Sequence, residues 1–370
     1  MLHVMTILGT RPEIIRLSRV IPALDVHFRH TLVHTGQNHD HALSQIFFDG
    51  LGLRAPDRWL GVAAPTPGQA IAKVIAGADA ALAKYQPDAV LILGDTDSAL
   101  AAIPAKRRGV PIFHMEAGNR AFDARIPEEV NRRIVDHIAD VNLPYTQLAR
   151  ANLAAEGIAP DSIIVTGSPM REVLDHNAPA FAASRVLADL ALEPRGYLAL
   201  SAHRAETVDV PDRLARLMDV ADAVARAHGL PLIVSTHPRT ARALAALAAL
   251  GRAPHPLVRL CPPFAYADWM RLQSDARAVL SDSGTLTEEA SILGFPAIAL
   301  RETHERPEGF EAGTMLMTGL SPERALEALA LLATVPLAEP HPDYAERNVS
   351  TKIVRILLSY TDWARRRSRG

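Results

Sequence analysis

Short apolar runs alternate with longer stretches of helical period along most of this chain. Residues 2–8, 31–35, 89–93 and 111–114 read as buried strands. Residues 12–24, 66–85 and 100–108 have the length and apolar spacing of crossover helices, so the first half predicts a parallel, doubly wound α/β sheet. The second half repeats the pattern, with strands at 197–200, 232–236, 258–260, 278–280 and 297–300 and helices such as 212–227 and 240–250. Two Rossmann-like domains facing a cleft are expected. A strand at 163–165 running into Gly167-Ser168-Pro169 sets the expected boundary, giving domains 1–167 and 168–348. A terminal helix, roughly 349–365 within 349–370, is expected to cross back to the first domain.

Composition agrees with two domains: 370 residues, 48% of them hydrophobic, exceed the roughly 250–300 at which single cores split. A formal net charge of -2 offers no global attraction for nucleic acid or anionic lipid, so any anion site must be local. No apolar run reaches the roughly 20 residues of a membrane span, and insertion is not expected. Arg365, Arg366, Arg367 and Arg369 read as a solvated tail. A lone cysteine, Cys261, forms neither an internal disulfide nor a thiolate metal site, which fits a reducing cytoplasm.

Polar motifs cluster where strands end. Gly9-Thr10-Arg11-Pro12-Glu13 puts Pro12 in a first helical turn and Arg11 at a helix N-terminus, suited to a diphosphate or simply a surface arginine after a turn. Gly94-Asp95-Thr96-Asp97 offers a carboxylate at the sheet's carboxyl edge, or a helix cap. His114-Met115-Glu116-Ala117-Gly118-Asn119-Arg120 follows the next strand, and Arg125, Pro127, Glu128, Glu129, Asn131, Arg132 and Arg133 come after it, bringing several carboxylates to one rim. In the second half, His203-Arg204-Ala205-Glu206 ends one strand. Asp282-Ser283-Gly284-Thr285-Leu286-Thr287-Glu288-Glu289 ends another and reads as a second phosphate cradle or a helix capped by Ser283. Glu289, about two turns into that helix, is placed to accept from ribose hydroxyls. The polar loop from Arg301 to Gly309 also follows a buried strand. Gly50-Leu51-Gly52 is misplaced for a dinucleotide fingerprint, and His39-Asp40-His41 lacks a companion at metal-ligand spacing.

Taken together, Gly9 to Glu13, Gly94-Asp95-Thr96, His114 to Gly118, Pro127-Glu128-Glu129, His203-Arg204, Asp282-Ser283-Gly284 and Glu305-Arg306-Pro307-Glu308 resemble the non-hydrolysing UDP-N-acetylglucosamine 2-epimerases over nearly the whole chain. The resemblance implies a GT-B type fold with UDP held mainly by the second domain, a homodimer, a UDP-sugar substrate, and no metal or nicotinamide cofactor. It implies that UDP leaves carbon 1, carbon 2 loses its proton to give a 2-acetamido glycal, and re-addition inverts carbon 2. Asp95, Glu116 and Glu128 become the acid–base carboxylates, with His203 near the diphosphate. Arg11, Ser283, Gly284, Thr285 and Arg306 become phosphate contacts, and Glu289 a ribose contact.

Residues 104–108, 113–120, 235–240 and 301–310 are more similar to a narrower branch, the UDP-2-acetamido-2,6-dideoxy-L-talose 2-epimerases, which make UDP-N-acetyl-L-fucosamine for capsules and O-antigens. Asn119, Arg120 and Ala121 stand where the D-glucosamine enzymes usually carry leucine and Arg-Thr. Thr207 replaces a common asparagine. Of the glutamine pair in an allosteric UDP-GlcNAc site only Gln37 is kept, with Asp40 at the second position. The alternatives are UDP-N-acetylglucosamine as substrate, a hydrolysing epimerase, a GT-B glycosyltransferase and a UDP-sugar-binding regulator.

Overall fold

The structure, a computed structural model, describes residues 1–37, 47–124, 126–236, 238–249 and 251–368. His39, Asp40, His41, Arg125, His237 and Arg369 lie outside the described residues. The chain forms two compact units, residues 1–176 with 342–370 and residues 177–341. It passes from one to the other inside the helix Met170–Ala183.

The first unit holds six parallel strands, β1 (His3–Leu8), β2 (Arg29–His34), β3 (Arg58–Trp59), β4 (Ala89–Leu93), β5 (Ile112–Met115) and β6 (Val141–Leu143), in the order β3-β2-β1-β4-β5-β6. The second holds β7 (Leu198–Ser201), β8 (Leu232–Ser235), β9 (Val258–Cys261), β10 (Val279–Ser281), β11 (Ala297–Ala299) and β12 (Leu316–Met317), in the order β12-β11-β10-β7-β8-β9. Counted within its own unit, each sheet has the strand order of the dinucleotide-binding fold. Helices cover both faces, which is why the strands are nearly continuous apolar runs. In the second unit Leu198, Leu200, Leu232, Val234 and Leu280 bury one face, and Tyr197, Ala199, Ile233 and Val279 the other. This alternation is the period of two that a pleated strand imposes. Among the described residues no helix is long and apolar enough to cross a membrane.

Several elements differ from the pattern reading, for local reasons. The helix expected over 12–24 is two, Arg11–Leu17 and Val20–His27. Pro22 clashes with a helical carbonyl four residues earlier, at Ser18, where the break falls. Pro104 acts likewise on Leu100, and the stretch Asp97–Ala101 is a 3-10 turn ahead of the helix Ala102–Arg107. Residues 163–165 make only an isolated bridge, Ile163 to Asn142. The short strands β3, β6 and β12 offer too few residues for a periodic signal.

The terminal helix, Val349–Ser368, packs on Val20–His27 within the first unit. Two of the four arginines read as a solvated tail make contacts within the first unit. Arg365 binds the carbonyl and carboxylate of Asp88, and Arg367 binds Asp161 at 2.7 Å.

Candidate active site

In an open parallel sheet, side chains gather at the carboxyl ends of the strands where the order reverses, because the crossover helices diverge there and leave a crevice. In the first unit that point lies between β1 and β4. β1 delivers Gly9-Thr10-Arg11 and β4 delivers Gly94-Asp95-Thr96 to it. Glu13 joins the two turns. Its Oε2 accepts from the N–H groups of Gly9 at 2.5 Å and Thr10 at 2.9 Å, and its Oε1 accepts from the Thr96 hydroxyl at 2.5 Å. Burial pushes the Glu13 carboxyl up to about 7. Arg11 is exposed, with its guanidinium over the Phe47 ring at 5.5 Å.

Asp95 and Glu116 are brought together by arginines. Arg132 Nη2 bonds Asp95 Oδ2 and lies 3.9 Å from Glu116 Oε1, while Arg16 Nη1 donates to Glu116 Oε2 at 2.7 Å. Asp95 is half-buried and Glu116, Arg132 and Arg16 are buried. Carboxylate and guanidinium groups thus alternate across the crevice. Glu116 has φ 63, a left-handed backbone costing a residue with a Cβ on the order of 1–3 kcal/mol, which recurs at functional sites. Glu128 sits half-exposed in the first turn of the helix Pro127–Ile138, four residues before Arg132 and so on the same helix face.

The capping alternative for Asp95 and Thr96 does not describe these turns. Thr96 is the N-cap of Asp97–Ala101 but makes no side-chain cap bond. Its hydroxyl goes to Glu13, and Asp95 goes to Arg132.

The second unit repeats the geometry between β7 and β10. Asp282 is fully buried after β10 and accepts from the N–H groups of His203 and Arg204, at 3.1 Å each, after β7. The exposed His203 ring places Nδ1 3.4 Å from Asp282 Oδ1. Ser283-Gly284-Thr285 forms a partly open turn ahead of the helix Leu286–Leu293. Thr285, not Ser283, occupies the N-cap. Ser283 Oγ lies 3.1 Å from Thr285 Oγ1. A Cβ at Gly284 would stand 3.2 Å from Arg306 Nη1 and 3.4 Å from Arg204 Nη2. The turn therefore runs between two guanidinium groups, a cradle suited to phosphate oxygens. Arg306 is held by Glu288 at 3.2 Å. Arg301 pairs with Glu305 at 3.2 Å; burial and the nearby Arg204 charge hold the Arg301 guanidinium below its ordinary value.

Glu289 departs from its expected place, since it lies in the first helical turn and not two turns in. It is buried and accepts from Gln273 Nε2 at 3.1 Å. Arg120 is also turned inward, toward Asp136 at 2.7 Å and Glu156 at 2.6 Å. Sequence reasoning missed Glu13, Arg16, Arg132, Arg204, Arg301 and Asp282 as site members in their own right. The available signal was that five of these six sit inside or beside a strand-end motif. Among the described residues no group of three His, Cys, Asp or Glu side chains is arranged to hold a metal ion.

Two doubly wound units, one with paired carboxylates and one with an arginine-flanked glycine turn, define an enzyme of the GT-B fold class. Comparison with known proteins narrows this. The profile of the family described as UDP-N-acetylglucosamine 2-epimerase matches residues 23–358. The structure is similar to UDP-N-acetylglucosamine 2-epimerase from Rickettsia bellii, with TM-score 0.91 and 46% identity over 99% of this chain and 98% of that one. It is similar to the Methanocaldococcus jannaschii UDP-GlcNAc 2-epimerase in complex with UDP-GlcNAc and UDP, with TM-score 0.90 and 32% identity over 96% and 99% of the two chains. The UDP-2,3-diacetamido-2,3-dideoxy-D-glucuronate 2-epimerase of Pseudomonas aeruginosa is 30% identical over 96% of this chain and 99% of its own. The chain belongs to the UDP-N-acetylglucosamine 2-epimerase family and is an isomerase.

Proposed function

We propose that this enzyme inverts carbon 2 of a UDP-linked N-acetyl amino sugar by elimination and re-addition. The observation that carries the reading is the joining of Asp95 and Glu116 through Arg132 at one crevice. Carbon 2 bears an amide nitrogen and no adjacent carbonyl, so its hydrogen is weakly acidic and needs departure of a leaving group to assist its removal. In the first half-reaction the C1–O bond to the diphosphate breaks, its electron pair leaves with UDP, a carboxylate takes the carbon 2 proton, and a C1–C2 double bond forms. In the second, a proton reaches carbon 2 from the opposite face and a diphosphate oxygen rebuilds the C1–O bond. The sum is redox-neutral.

Asp95, Glu116 and Glu128 are the acid–base groups in this scheme. His203, Arg11, Arg306, Ser283, Gly284 and Thr285 stabilise the diphosphate as charge develops. Glu289 contributes to the ribose end. The enzyme acts as a cytoplasmic homodimer in this reading.

The substrate we propose is UDP-2-acetamido-2,6-dideoxy-L-talose, giving UDP-N-acetyl-L-fucosamine for surface polysaccharide, on the motif pattern of residues 104–108, 235–240 and 301–310. UDP-N-acetylglucosamine is the second reading, favoured by the similarity to the M. jannaschii UDP-GlcNAc 2-epimerase, whose structure is a complex with UDP-GlcNAc and UDP. Proton NMR in deuterated water, with each UDP-sugar in its own tube, tests both. Deuterium at carbon 2 with inversion only in the L-talose tube is the expected result. Turnover of UDP-N-acetylglucosamine alone would replace the substrate and keep the mechanism. Exchange in neither tube would remove both substrate readings.

A further inference from the structure

Beneath the turns that carry Asp95 and Glu116 lies a buried polar cluster that the proposed mechanism does not use. His114, in β5, is fully buried. Its Nε2 is 2.8 Å from the carbonyl of Gly94, the residue before Asp95. Its Nδ1 is 2.8 Å from Asp136 Oδ1. A carbonyl oxygen only accepts, so Nε2 carries the hydrogen and the ring orientation is set. Asp136 also accepts from the N–H of Gly118, at 3.1 Å to Oδ2, two residues after Glu116. Its Oδ2 meets Arg120 Nη1 at 2.7 Å, and Arg120 is fixed in turn by Glu156 at 2.6 Å. One carboxylate therefore lies against both turns, 2.8 Å from the imidazole that meets the Gly94 carbonyl and hydrogen-bonded to the Gly118 N–H. Although burial pushes Asp136 upward, His114 and the Arg120 guanidinium hold its carboxyl below the usual range. The φ of 63 at Glu116 is a conformation that a residue with a Cβ keeps only where its surroundings enforce it.

We infer that Asp136 and His114 are positioning residues that hold the Asp95 and Glu116 turns in register for re-addition to the glycal. The inference rests on the elimination reading above. A carboxylate displaced by about 1 Å slows proton transfer on the order of a hundredfold, while escape of a bound glycal does not depend on that placement. Misplacement therefore raises the share of turnovers that end in free UDP and free 2-acetamido glycal.

The test compares wild type with Asp136→Asn, His114→Asn and His114→Gln, reading released glycal against epimerised product per turnover together with UDP affinity. This ratio is independent of how much of the enzyme is active, so simple destabilisation does not move it. Gln places a donor near the imidazole Nε2 and keeps the Gly94 bond, whereas Asn does not reach it. The expected result is a ratio raised roughly tenfold or more in Asp136→Asn and His114→Asn, a smaller rise in His114→Gln, and UDP affinity within about twofold of wild type. A ratio unchanged in both His114 variants would overturn the inference, whether or not kcat falls and whether or not Asp136→Asn folds. Wild type that forms neither product nor glycal from any UDP-N-acetyl amino sugar would overturn the epimerase reading, and this role with it.

Discussion

Arg16 Nη1 donates to Glu116 Oε2 at 2.7 Å, with both side chains buried. Glu116 has Arg132 at 3.9 Å on its other oxygen, but that guanidinium is already engaged by Asp95. Replacing Arg16 by Met removes a charged partner at 2.7 Å from a buried carboxylate, and breaking such a pair costs about 3–5 kcal/mol. Urea unfolding of Arg16→Met should show a lowered midpoint at unchanged slope. A variant within about 1 kcal/mol of wild type, the error of the extrapolation, would contradict this account.

Glu13 ties stability to pH. Its folded carboxyl is raised by burial to about 7 from 4.5, so between those values the native state binds the proton more tightly than the unfolded chain. Stability is fully present below about pH 4.5 and declines as pH rises through 7, by an amount of about 3 kcal/mol at most. Glutamine has the shape and donor pattern of the neutral acid, accepting from Gly9 and Thr10 and donating toward Thr96. Glu13→Gln should therefore gain stability relative to wild type between pH 5 and pH 8. Parallel unfolding free energies across that range would show that Glu13 does not titrate there.

The strand-end rule explains what was readable without coordinates. Asp95, Glu116, His203 and Ser283 each follow a buried apolar run, so their placement at a sheet's carboxyl edge is a local property of sequence. Their partners are not. Arg132 meets Asp95 across 37 residues, and Arg16 meets Glu116 across 100. Such pairings arise only when helices pack beside strands, and no periodicity encodes them. His114 illustrates the limit in reverse: its motif looks catalytic, yet its ring is buried against Gly94 and Asp136. Pro22 and Pro104 were legible as residues, but their breaks are two halves of helices that apolar period alone runs together.

Two glycines of the second unit should respond oppositely to the same substitution. At Gly309 a Cβ would fall 2.2 Å from Thr287 Cγ2 and 3.0 Å from Met315 Cγ, inside packed side chains. Gly309→Ala should cost about 1–3 kcal/mol of stability through overpacking. At Gly284 the neighbours are the ends of two arginines at 3.2 and 3.4 Å, so a methyl group fits with a shift of a few tenths of an ångström at little cost to the fold. Gly284→Ala should unfold like wild type but bind UDP about tenfold more weakly, because the added methyl stands between the two guanidinium groups where a phosphate oxygen would sit. Calorimetric unfolding and UDP titration of the two variants separate these effects, and equal UDP affinity in Gly284→Ala would remove the phosphate role of this turn.

Glu128 and Glu129 are adjacent, yet they should divide activity from stability. Glu129 is buried, accepting from the Ala121 N–H at 2.8 Å and from Arg133 Nε at 3.0 Å. Glutamine there weakens a charge-assisted buried bond, at a cost of about 1–3 kcal/mol. Glu128 is half-exposed in the same first turn, where its charge contributes only about 0.3–1 kcal/mol through the helix dipole. Glu128→Gln should therefore unfold within about 1 kcal/mol of wild type while kcat falls about a hundredfold or more, the loss expected for a missing acid–base group. UDP affinity should be unchanged, since the phosphate cradle lies in the other unit. A Glu128→Gln enzyme with wild-type kcat would remove Glu128 from the acid–base set and leave Asp95 and Glu116 to serve both faces of the sugar.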